Sequence, residues 1–88
     1  MKIKKGFILR KMGDQFVVVA VGAAAQQFGG MLRLNAMSAE IWNRIAAGIE
    51  ERELICGLAA EYDAPMEQIT ADVRRILAAL REVGALDE

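Results

Sequence analysis

The chain has 88 residues, 55% of them hydrophobic and 26% charged, with a formal net charge of −1. That length makes one domain with a single core, and near-neutrality removes the electrostatic footprint of most nucleic-acid binders. Histidine is absent and Cys56 is the only cysteine, so the commonest general base is missing and no internal disulfide forms.

The first third reads as strand. Phe7 and Leu9 alternate with Ile8 and Arg10, a half-buried pattern that ends at the turn pair Gly13-Asp14. "QFVVVAVG" follows as a continuous apolar run, which predicts a central strand covered on part of both faces. "AAAQQ" either continues that strand or forms a loop. "GGMLRLN" is the third strand, with Leu32 and Leu34 on one face and Met31 and Arg33 on the other. The run from Phe16 to Ala25 is too short to cross a bilayer and lies too far into the chain for a signal peptide. No membrane role is expected, and the single thiol fits a reducing cytoplasm.

After Asn35 the period changes from two to 3.6. Ile41, Trp42, Ile45, Ala46 and Ile49 form one stripe, with Asn35 or Ser38 as N-cap and Gly48 near the end. A second helix over Glu51 to Tyr62 turns Leu54, Ile55, Leu58, Ala59 and Tyr62 to the core. Gly57 inside it costs about 1 kcal/mol against alanine, which predicts a neighbouring backbone passing close by. Pro65 suits the first turn of a third helix that buries Ile69, Val73, Ile76, Leu77 and Leu80 and stops at Gly84, after which Leu86 folds back. The expected fold is α+β: one domain over residues 1–88, with an antiparallel three-stranded sheet within 6–35 and three helices within 36–84, arranged like a winged helix.

No catalytic constellation emerges. Cys56 has no zinc companion and falls off the apolar centre of its helix, so it reads as an inert thiol. "EERE" at Glu50 to Glu53 sets carboxylates at a helix start, where they favour the dipole. Ser38 belongs to a cap. The chain is therefore expected to be no enzyme, with no metal and no cofactor. Lys2, Lys4, Lys5, Arg10 and Lys11 gather near the first strand, and Arg74, Arg75 and Arg81 lie on the third helix. A winged-helix DNA-binding protein is the rival reading, but Glu67, Asp72 and Glu82 interrupt that basic face.

At "GGMLRLNAMSAEIW", "LAAEYDAP" and "ADVRRILAALREVGALDE" the chain resembles the PqqD-like family of leader-peptide recognition domains. "KKGFILRKMGDQFVVVAVG" is similar to that family's opening hairpin. Order and spacing carry the likeness, and the "AAAQQFGG" connection departs from the members that serve pyrroloquinoline quinone synthesis proper. The resemblance implies a sheet-then-helices fold that binds the leader of a ribosomally made precursor peptide. It further implies presentation to a modifying enzyme, often of the radical S-adenosylmethionine type. It places the leader along the third strand, here Met31, Leu32, Arg33 and Leu34, and against the third helix, here Met66 to Val83.

An unpaired strand edge attracts a guest strand, and only Arg33 guards this one. Strand addition holds the guest by main-chain bonds while pockets read alternate side chains. Leu32→Pro is expected to disturb the strand and to weaken leader binding by removing one ladder donor through which the guest pairs. On the third helix, Asp72, Arg75, Ile76, Ala79 and Val83 flank one side of the buried stripe and Thr70, Arg74, Leu77 and Arg81 the other. The first set is taken as the groove side, since Ala79 leaves room, with Ile76 as ordinary core the competing reading. A homodimer through the same edge is the remaining alternative.

Overall fold

The computed structural model describes residues 1–88 and contains five strands and three α-helices. Strands β2 (Phe7–Met12) and β3 (Gln15–Ala20) follow a short N-terminal strand and form an antiparallel hairpin, in register from Phe7↔Ala20 to Met12↔Gln15. Gly13 turns the chain at φ +65°. A two-residue turn of type II′ needs positive φ at this position, and glycine supplies it without a Cβ penalty. Strand β4 (Met31–Leu34) pairs antiparallel along the other side of β3, from Phe16↔Leu34 to Val19↔Met31. The sheet order is β2-β3-β4, so the valine-rich strand is central and β4 lies at an edge.

The alanine-rich stretch neither continues β3 nor stays irregular. Gly22 breaks the strand at φ +62°, and Gly22–Gln26 wind into a short 3₁₀ helix. It packs tightly on the start of the hairpin, because a Cβ on Gly6 would meet Ala24 Cβ at 2.8 Å. Phe28 then stacks on Phe7 with ring centroids 6.4 Å apart.

Helix α1 (Ala36–Ala46) starts at Asn35, whose Oδ1 accepts the Ser38 N–H at 2.8 Å. Asn35 is thus the cap, and Ser38 is the buried third residue. Ile41, Trp42 and Ile45 are buried, whereas Ala46, expected in the same stripe, is exposed. Helix α2 (Glu51–Tyr62) buries Leu54, Ile55 and Leu58. Tyr62, expected on that face, is 45% exposed at the helix end, where Asp63 at φ +49° terminates the helix. The neighbour at Gly57 is a side chain, not a backbone: a Cβ there would meet Arg44 Nη1 at 3.2 Å. Helix α3 (Met66–Glu82) begins just after Pro65 and buries all five residues of its predicted stripe. It ends in a Schellman motif, with Ala85 N–H donating to the Leu80 carbonyl at 2.9 Å and Gly84 N–H to Arg81 at 3.1 Å.

Leu86 does more than fold back on that turn. Strands β1 (Lys2–Ile3) and β5 (Leu86–Asp87) pair antiparallel outside the span predicted to hold strands. The Met1 ammonium donates to the Ile49 carbonyl at 2.9 Å, and Lys4 N–H donates to Ala85 at 2.8 Å. This second sheet ties both ends of the chain to the α1–α2 loop and the α3 terminus. The inner face of the main sheet (Phe7, Val18 and Leu34) and all three helices share one core cluster of 16 buried side chains.

Candidate functional site

The hydrogen-bonding direction of every residue in β4 follows from the hairpin. A two-residue loop makes its flanking pair, Met12↔Gln15, exchange both main-chain bonds, and hydrogen-bonded pairs then alternate along an antiparallel ladder. Val21 N–H donates to the Gly6 carbonyl at 2.8 Å, which continues the same alternation at the far end. Odd-numbered residues of β3 therefore face β2, and Phe16 and Val18 face β4. Their partners Leu34 and Leu32 are bonded inward. Met31 and Arg33 point their N–H and C=O groups away from the sheet, so two donors and two acceptors form the open edge.

Side chains alternate with the same period. Met31 and Arg33 project to the outer face, where Met31 is 57% exposed. Leu32 and Leu34 project to the inner face, Leu34 wholly in the core and Leu32 half-buried against it. The expectation for Leu32→Pro is thereby corrected. The Leu32 N–H serves the β3 ladder, and the donors offered to a guest belong to Met31 and Arg33. The other sheet edge, β2, is better guarded. Phe7 N–H is taken by the Lys4 carbonyl, and Arg10 and Lys11 set charge on both of its faces.

The α3 residues divide. Ile76 is only 9% exposed and belongs to the core cluster. Ala79 is half-buried. Asp72 and Arg75 are held by each other, Nη2 to Oδ1 at 3.2 Å, on a surface where such a pair contributes about 0–1 kcal/mol. The expected hollow beside this helix is not preformed. Two concavities mark the surface, one at Met1, Gly48 and Glu50 and the other at Gly6, Ile8, Val21 and Ala24, and neither touches β4 or α3. The apolar stripe of α3 is consumed by the core; Ala79 and Val83 stay half-buried on that helix, and Leu32 stays half-buried on β4.

Pattern reading missed the outer face of the sheet. Ile8, Val19 and Met31 are mutual register partners and form one apolar row across three strands. Beside it, Val17 is 3% exposed and is flanked across the strands by Arg10 and Arg33, whose aliphatic stems are long enough to cover it. The period-two alternation carries this signal once the register is known.

The ion pairs all belong to helix arginines. Arg44 bonds Glu61 and Glu40, and the carboxylates, Glu61 foremost, hold its guanidinium more firmly charged. Arg81 grips Glu88 through Nε at 3.0 Å and Nη2 at 2.6 Å, which holds that carboxyl below the usual glutamate range. With Arg75 and Arg81 so engaged, α3 offers little free positive charge for phosphates.

A family model described as coenzyme PQQ synthesis protein D (PqqD) matches residues 15–86. No curated protein matches. Among solved structures, the chain is similar to TbiB1 in complex with the TbiA(beta) leader peptide, at 26% identity and a TM-score of 0.73, over 99% of this chain and 100% of that one. It is also similar in fold to lasso peptide synthetase B1 complexed with the leader peptide, at 21% identity and a TM-score of 0.76, over 98% and 96% of the two chains.

Proposed function

Because the chain belongs to the PqqD family, we propose that it is a leader-peptide-binding adaptor: it captures the leader of a ribosomally made precursor by adding it as a fourth strand to β4. The observation that carries this reading is the row of main-chain groups at Met31 and Arg33, aimed outward and guarded by a single cation. The likeness to TbiB1 bound to its leader supports it.

The energetics define what else the site must supply. Four edge bonds contribute about 0.5–1.5 kcal/mol each, and ordering a disordered leader costs on the order of 2–5 kcal/mol. The main chain alone roughly breaks even, so affinity comes from guest side chains. Inward-facing guest residues meet the margin formed by Leu32, Ala79 and Val83, with Asp72 and Arg75 at its polar side and Ile76 beneath. The adaptor does no chemistry itself and delivers its cargo to a modifying enzyme of the radical S-adenosylmethionine type. The exposed Cys56 thiol suits work in the reducing cytoplasm.

The test is titration of ¹⁵N-labelled chain with a synthetic leader of its precursor. The amides of Met31 and Arg33 shift and become protected from exchange at saturation. Unchanged amides along β4 at saturating leader reject the mode. Sedimentation of the free chain at several concentrations separates this reading from self-pairing through the same edge.

A further inference from the structure

Resting on the strand-addition reading, we propose that the site selects a guest with a carboxylate on its outward face, in register with Arg33. Met31 and Arg33 provide both the edge bonds and the outward side chains, so a guest residue that exchanges main-chain bonds with Arg33 must also turn its side chain to the outer face. In such a pair the Cα atoms lie about 5.5 Å apart, within reach of an Arg–carboxylate contact.

The charge at that spot is unmet. Arg33 and Arg10 form no ion pair, and no strand residue on the outer face is acidic. The imbalance extends through the sheet half of the molecule. Residues 1–35 hold six Lys and Arg against one acid, Asp14, whereas residues 36–88 hold five against eleven. A net charge of −1 thus conceals a cationic N-terminal part and an anionic helical part, and the cations on the main sheet itself are Arg10, Lys11 and Arg33. Arg33 also lies along the cross-strand row Arg10–Val17–Arg33, one cation on each side of a buried valine. An incoming carboxylate meets Arg33 directly, with Arg10 two strands farther along the same row and no acid between them. The neighbouring row, Ile8–Val19–Met31, takes an apolar guest residue two positions away. The resulting guest is an amphipathic strand: apolar residues inward, and outward an acid beside Arg33 and an apolar residue beside Met31.

Cross-strand charge pairs are worth enough that an attractive pair and a repulsive one differ by about tenfold in affinity. The probes are three acetylated, amidated nine-residue peptides that alternate leucine with threonine. Their central threonine is replaced by glutamate, glutamine or lysine, and each is titrated into the ¹⁵N-labelled full chain at low and high salt. The expected result is that the glutamate peptide moves the Met31 and Arg33 amides at about one-tenth the concentration the lysine peptide needs. Glutamine falls between, and the spread narrows in salt. Arg33→Glu reverses the order, and Arg33→Gln, which preserves most of the stem over Val17, abolishes it. Equal shifts from all three peptides at these amides overturn the carboxylate preference and leave strand addition standing. If no peptide moves any β4 amide, both readings fall together.

Discussion

Proline placed at two adjacent positions in β4 separates the strand's two sides. Arg33→Pro removes an N–H that points to the open edge, where proline is tolerated. The fold loses only part of the cover over Val17, so stability stays within about 1 kcal/mol of the parent. Leader binding loses one main-chain bond of about 0.5–1.5 kcal/mol and weakens at least about two- to twelvefold, and further where the guest carries the carboxylate that Arg33 pairs with. Leu32→Pro removes the N–H bonded to Val18, a residue that is 0% exposed. That change costs a ladder bond of about 1 kcal/mol and leaves a buried carbonyl unpaired at about 1–3 kcal/mol. At about 4–8 °C per kcal/mol for a domain of this size, the melting temperature falls by roughly 10–30 °C. Thermal and urea unfolding, followed by leader titration of the folded variants, read both effects. Equal destabilisation by the two prolines, or loss of binding only for Leu32→Pro, refutes the assigned bond directions.

Three further outcomes follow from the geometry. Leu86→Ala, at a side chain 6% exposed in the terminal sheet, lowers stability by about 2–4 kcal/mol in urea unfolding; a loss under 1 kcal/mol shows the terminal pairing to be ornamental. Asp63→Gly relieves the positive φ of +49° and raises stability by up to about 1 kcal/mol, whereas Asp63→Val lowers it by about 1–2 kcal/mol. Arg81 holds the Glu88 carboxyl below its ordinary value of 4.5, so that pair stabilises the fold above about pH 4.5 and is lost as pH falls through the lower folded-state value. The stability difference between the parent and Glu88→Gln therefore shrinks on acidification, and a difference that grows between pH 5 and 3 contradicts the pairing.

Much of this architecture is legible in the chain because local signals agree. Gly13-Asp14 between two apolar runs defines a hairpin, Asn35 and Gly84 cap their helices, and the five-residue stripe of α3 is buried as its period requires. Four features escape pattern reading. The terminal strands are two residues each, too short to show a period. Alanines around Ala24 carry no preference strong enough to announce a 3₁₀ turn. Ala46 and Tyr62 sit on the correct helical faces, but a helical wheel does not show where a helix outruns its neighbours. The surroundings of α3 are tertiary throughout, because they depend on which of the other helices and strands its buried stripe packs against. At the site itself, the face of each β4 side chain follows from alternation, while the direction of its N–H group required the length of the hairpin loop.

The pairing of Lys2 with Asp87 brings the two extremities of the polypeptide side by side. A short bridge between these two strands would close the backbone into a ring without interrupting a helix, and fresh ends could be cut at the Gly13-Asp14 bend. Anything fused to either extremity would leave the body from a common point, like two cords drawn through one eyelet.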